Sequence, residues 1–132
     1  MVKRVICKRI AEEIENRGFK VTYFKEDKRY CRINFTHPKL RRTAVEKYGE
    51  DIGIYYSTST AVYDKERKTL ELNLMSPLFK FCELYLEYCC KDNTCICRLH
   101  IDNDPPRVGL EVKPLNVEKI GEVLDDFWNC IL

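Results

Sequence analysis

Glutamine is missing from this 132-residue chain altogether, and methionine occurs only twice. The five glycines form no G-x-G or Walker-type run, so no loop is built to cradle a nucleotide's phosphates. Only His37 and His100 could serve as imidazole bases. Ser57, Thr58, Ser59 and Thr60 lack the elbow that exposes a nucleophile, which leaves a hydrolase triad unsupported. No apolar run approaches the roughly 18 residues of a membrane span. The opening MVKRVICKRI carries four cations and runs into AEEIEN without the apolar stretch of a secretory leader. These absences lead us to expect a small soluble cytoplasmic domain over residues 1–132, with no membrane partner, no cofactor, no metal and no catalytic residues.

What the chain has in quantity is charge, 33% of its residues, and cysteine, eight in all. Few thermolabile amides with many charges is the bias of proteins from hot environments. Intracellular proteins of hyperthermophiles also keep disulfides that other cytosols would reduce. The two features together predict a hyperthermophile protein, archaeal or viral, with some cysteines paired. The densest cysteine cluster is Cys89, Cys90, Cys95 and Cys97, which predicts one or two disulfides closing the turn between them. A zinc site fits less well: no C-x2-C pair exists, and adjacent cysteines on a helix point about 100° apart.

Residues 1–50 hold 14 cations and 7 anions, whereas residues 51–132 hold 9 cations and 14 anions. A basic half joined to an acidic half is the pattern of a nucleic-acid face or a self-complementary homo-oligomer.

Hydrophobic spacing predicts a helix over 3–17 with Ile6, Ile10 and Ile14 on one face and Gly18 as its stop. Alternation then predicts a hairpin around Glu26-Asp27-Lys28 that sets Tyr23 opposite Cys31 and Val21 opposite Ile33. Thr36 is placed to cap a second helix carrying Leu40, Ala44 and Tyr48, ended by Gly49. A second hairpin is expected from 52–63 and 68–75, with Leu70, Leu72 and Leu74 inward. A largely buried helix over 77–90 and a third hairpin from 95–101 and 107–113 follow. Asn116 is placed to cap a last helix with Val117, Ile120, Leu124, Phe127 and Ile131 in its stripe. The order αββ-αββ-αββ-α, with hairpins that force antiparallel pairing, gives an α+β class. That order of elements is similar to that of type III secretion chaperones, which implies a protein partner and no catalysis.

His100-x-Asp102-x-Asp104 followed by Glu111-x-Lys113 resembles the PD-(D/E)xK nucleases, which implies acids holding a divalent metal and a lysine steadying water. Asp51 with Glu71-x-Asn73 is a second mapping, without the lysine. In a hairpin turning at 103–106, Asp102 and Glu111 stand too far apart to share an ion.

The strongest functional signal lies on the first hairpin. With Val21, Tyr23, Cys31 and Ile33 inward, the other face would show Lys20, Thr22, Phe24, Tyr30, Arg32 and Asn34. Cations interleaved with aromatics suit a nucleic acid, the charges meeting phosphates and the rings stacking on bases. Lys25, Lys28 and Arg29 extend this patch at the tip, and Lys39, Arg41 and Arg42 add to it from the second helix. The expectation is a non-enzymatic binding protein for DNA or RNA. The alternatives are a protein-binding adaptor, chaperone or inhibitor, and a PD-(D/E)xK-like nuclease.

Overall fold

The computed structural model describes residues 2–76, 96–103, 106–113 and 120–131. Helix α1 (Val2–Asn16) leads into β1 (Lys20–Glu26) and β2 (Tyr30–Thr36). Helices α2 (Pro38–Tyr48) and α3 (Glu50–Tyr56) precede β3 (Ser59–Asp64) and β4 (Thr69–Ser76). Strands β5 (Ile96–Asn103) and β6 (Pro106–Lys113) and helix α4 (Ile120–Ile131) complete the described elements. The strands form one antiparallel sheet in the order β1-β2-β3-β4-β6-β5. Helices plus an antiparallel sheet make the class α+β, as the patterning predicts. The expected helix over 77–90 and the Asn116 cap lie outside the described residues.

Period-two burial explains why the strands settle as they do. Cys31, Ile33 and Phe35 of β2, Ala61 and Tyr63 of β3, and Leu70, Leu72 and Leu74 of β4 are all buried on one face. Helix α1 lies against β1 and β2 and presents Cys7, Ile10 and Ile14, three and four residues apart, to that face. Helix α4 packs beside α1 and adds Ile120, Val123 and Leu124 to the same core. Each fully buried Ile or Leu contributes about 1.5–3 kcal/mol relative to exposure. Gly18, at φ 87°, ends the turn after α1 in a conformation that glycine adopts without strain. Phe19 then enters the core edge-on to Phe35 at 5.6 Å.

A disulfide joins Cys7 of α1 to Cys31 of β2, with their Cα atoms 6.2 Å apart. The predicted pairing set is elsewhere: Cys89, Cys90 and Cys95 lie outside the described residues, and Cys97 is placed only as the β5 residue opposite Val112.

Three local expectations are corrected. Residues 50–56 form helix α3, where a strand beginning at 52 is expected. Gly49 precedes it at φ 91°, Glu50 and Asp51 favour the positive end of its dipole, and Gly53 lets it touch α2 backbone to backbone. A Cβ on Gly53 would stand 2.6 Å from Val45 Cα. Two helices therefore join the first two hairpins rather than one. The cap of α2 is His37, whose side chain accepts from Lys39 N at 3.2 Å. Thr36 instead donates its hydroxyl to Ser57 O at 2.8 Å, tying the start of α2 to the end of α3.

The third correction is the register of the first hairpin. Glu26 pairs with Cys31, Phe24 with Ile33 and Tyr23 with Asn34, whereas Val21 pairs with Phe35. The register shifts between Val21 and Tyr23, so Thr22 is the extra residue of a β-bulge.

Candidate nucleic-acid interface

The bulge decides which side chains of β1 face outward. Residues directly opposite in an antiparallel pair share a face. Phe24 and Glu26 therefore lie on the face of Ile33 and Cys31, at the rim of the helix-covered side. Tyr23 and Lys25 lie on the face of Asn34 and Arg32. The predicted roles of Tyr23 and Phe24 are exchanged, because one inserted residue inverts the alternation for the rest of the strand.

Helix α1 sits on the buried face, so the outward face of this hairpin is free of it. Tyr23 is 45% exposed and Tyr30 42% exposed, and Lys25 and Arg32 are exposed with them. Thr22 donates to Asn34 O at 3.3 Å, and Thr60 donates to Asn34 Oδ1 at 3.3 Å, which steadies the middle of this surface. Across the sheet, Arg32 pairs with Val62 and Val62 with Glu71, and Asn34, Thr60, Asn73 and Glu111 occupy successive register positions. The basic half of the chain thus holds the β1–β2 end of the face, and acidic positions begin at β4 and β6.

The hairpin tips are clasped together. Arg29 Nε and Nη2 donate to the two carboxylate oxygens of Asp64 at 3.3 and 3.2 Å, and Glu66 stands 3.5 Å from Arg29 Nε. Lys65 bonds Asp27 O and pairs with Glu26, both at 2.7 Å. Asp27 accepts from Tyr30 N at 2.8 Å and Arg29 N at 3.0 Å, and those bonds hold its pKa below the usual value. The Arg29 hydrogen bond does the same for Asp64 and raises the Arg29 pKa. The Arg29 guanidinium also lies 5.1 Å from the centroid of the Tyr30 ring. Among the predicted tip cations, Arg29 is thus held within the protein, whereas Lys25 and Lys28 are exposed.

Where β1 begins and β2 ends, the face runs into a groove of about 380 Å³. Lys20 and Thr36, paired across β1 and β2, form its sheet-side wall with Pro38. Arg41, Arg42, Val45 and Glu46 of α2 and Glu50 and Ile54 of α3 complete it. Lys20, Arg41 and Arg42 thus meet in one place, and Lys39, exposed on α2, is not part of that lining. Composition and alternation brought out the cations. They carried no sign of the groove's apolar floor, of Tyr23, or of the clasp, all of which depend on pairings between distant segments.

The nuclease-like residues are spread along the third hairpin. Asp102 pairs with Arg107 and Glu111 with Arg98, so their backbones stand four positions apart, about 13 Å. Asp104 lies outside the described residues. In the second mapping, Asp51 is on helix α3 and Glu71 on β4.

Comparison of the chain with protein-family models, with curated proteins and with solved structures returns no match.

Proposed function

We propose that this chain is a non-enzymatic protein that binds single-stranded DNA or RNA across the outward face of β1 and β2. One observation carries the reading: the Thr22 bulge puts Tyr23 and Lys25 beside Tyr30 and Arg32 on a single exposed surface. Two rings a strand apart offer platforms for bases, and two cations between them offer partners for phosphates. A pleated face suits a splayed single strand better than a duplex groove, which asks for an inserted helix or ribbon. The composition and charge pattern agree with a cytoplasmic protein of a hyperthermophile or its virus. The complete order is then three hairpins with helices between them in one domain.

The test is an anisotropy titration with mixed-sequence DNA and RNA strands at several salt concentrations. Affinity should fall steeply with salt, and K25A/R32A should lower the log–log slope by about 1.4, two contacts at about 0.7 each. No binding at low salt would overturn the reading.

That result would favour the protein-binding alternative, which has its own observation. Ile52 and Tyr55 of α3 are 49% and 71% exposed, an apolar pair suited to a partner surface.

A further inference from the structure

The groove between β1, α2 and α3 gathers more cations than carboxylates. Arg17, Arg29 and Lys65 each pair with a carboxylate, Asp125, Asp64 and Glu26 respectively. Lys20, Arg41 and Arg42 form no ion pair among the described residues, although Glu46 and Glu50 line the same groove. Three cations against two carboxylates leave this concave site with a net positive charge, which favours an anion from outside.

The floor adds a second requirement. Val45 and Ile54, with the Pro38 ring, give the groove apolar surface beside its cations. Its volume of about 380 Å³ is within the roughly 300–1,000 Å³ of small-ligand sites. A ligand with a flat, weakly polar body and a phosphate satisfies both, and a nucleotide has both parts.

The groove is also continuous with the interface proposed above. Arg32, Asn34 and Thr36 are alternate residues of β2 on one side of the strand, so about 14 Å separates Arg32 from Thr36, a buried residue of the groove wall paired with the exposed Lys20. Glu46 lies in the last turn of α2, one turn after Arg42, and Glu50 begins α3, so two carboxylates line the α2–α3 end of the groove. Their charge opposes a phosphodiester backbone continuing past them. A chain end can stop at Lys20, Arg41 and Arg42 without passing those carboxylates. A terminal phosphate monoester carries about −1.5 to −2 charges near neutral pH, more than any internal phosphodiester.

We infer that the groove holds the phosphorylated end of the strand, with Lys20, Arg41 and Arg42 on the terminal phosphate and its nucleoside over Val45 and Ile54. This inference rests on the nucleic-acid reading and makes the protein a reader of strand ends.

The experiment compares one short oligonucleotide in three forms: 5′-phosphorylated, 3′-phosphorylated and hydroxyl at both ends. One phosphorylated form should bind about tenfold more tightly than the hydroxyl form, the scale of one charge-assisted hydrogen bond. K20A and R42A, both at exposed positions, should each erase that preference. K25A/R32A should weaken all three forms while keeping it. Equal affinity for the three forms, with steep salt dependence retained, would overturn the groove inference and leave the face reading intact. Failure of every form to bind at low salt would overturn both.

Discussion

Arg29 and Asp64 lock the tips of the first two hairpins through paired bonds of 3.3 and 3.2 Å, with Asp64 nearly buried beneath the arginine. The same Asp64 Oδ1 accepts from Glu66 N at 3.0 Å and Arg67 N at 3.2 Å, so one carboxylate shapes its own turn while holding its neighbour's. Because folding lowers the Asp64 pKa below 3.8, this contribution is complete above that value and disappears as pH falls through the folded pKa. D64N should lower Tm by several degrees at neutral pH, and its deficit should shrink as pH falls below 3.8 and Asp64 protonates. A deficit unchanged across that range would show that charge is not what holds the clasp.

The Cys7–Cys31 bridge closes a loop of 24 residues between a helix and a central strand. Loops of that length restrict the unfolded chain by about 3 kcal/mol, which for a chain this size is on the order of 10 °C in Tm. Peptide mapping after alkylation without reductant should recover a fragment linking Cys7 to Cys31. C7A/C31A should melt lower by that amount. Recovery of both residues as alkylated thiols would remove the bridge.

His37 caps α2 with a lone pair, and that is a pH-sensitive way to start a helix. Nδ1 accepts from Lys39 N at 3.2 Å, which only the unprotonated nitrogen can do. Burial, and secondarily the charge of Lys39, push the His37 pKa below 6.5. A base whose pKa is lowered by folding stabilises the fold in its neutral form. That stability is complete above 6.5 and is lost as pH falls through the folded pKa. H37N, which keeps a capping oxygen, should melt with less pH dependence than the native chain between about pH 7 and 5. H37A should lose about 1 kcal/mol at pH 7.5 from the missing cap. Parallel melting profiles for H37N and the native protein would contradict this.

How far such features can be read in advance depends on whether their cause is local. Leu70, Leu72 and Leu74, or Cys31, Ile33 and Phe35, alternate strictly, and their burial follows from the two-residue period alone. Ile10 and Ile14 declare the buried face of α1 in the same way. Residues 52–56 misdirect because Ile52, Ile54, Tyr55 and Tyr56 favour strands, while what makes them helical is Gly53 against the backbone of α2. Cys7 and Cys31 are neighbours only once α1 lies on β2. At the candidate interface, the cations at Lys25 and Arg32 are evident in the sequence, but the face each aromatic takes depends on a single bulge.

That bulge makes the last prediction. Thr22 is the unpaired residue between the Val21–Phe35 and Tyr23–Asn34 pairs. Removing it leaves every other pair of the hairpin in register and returns the strand to plain alternation. The variant lacking Thr22 should therefore fold with Tyr23 and Lys25 still beside Arg32, losing only the exposed 3.3 Å bond to Asn34 O, about 1 kcal/mol or less. Its binding of single strands should stay within a few-fold of the native chain. Inserting an alanine between Tyr23 and Phe24 should do the opposite: with the Thr22 bulge kept, either Tyr23 or Lys25 must leave the outward face. Affinity should then fall by an amount comparable to Y23A, about 1–3 kcal/mol for one lost stacking platform. Equal binding by the deletion, the insertion and the native protein would mean that the face set by the bulge is not where the strand lies.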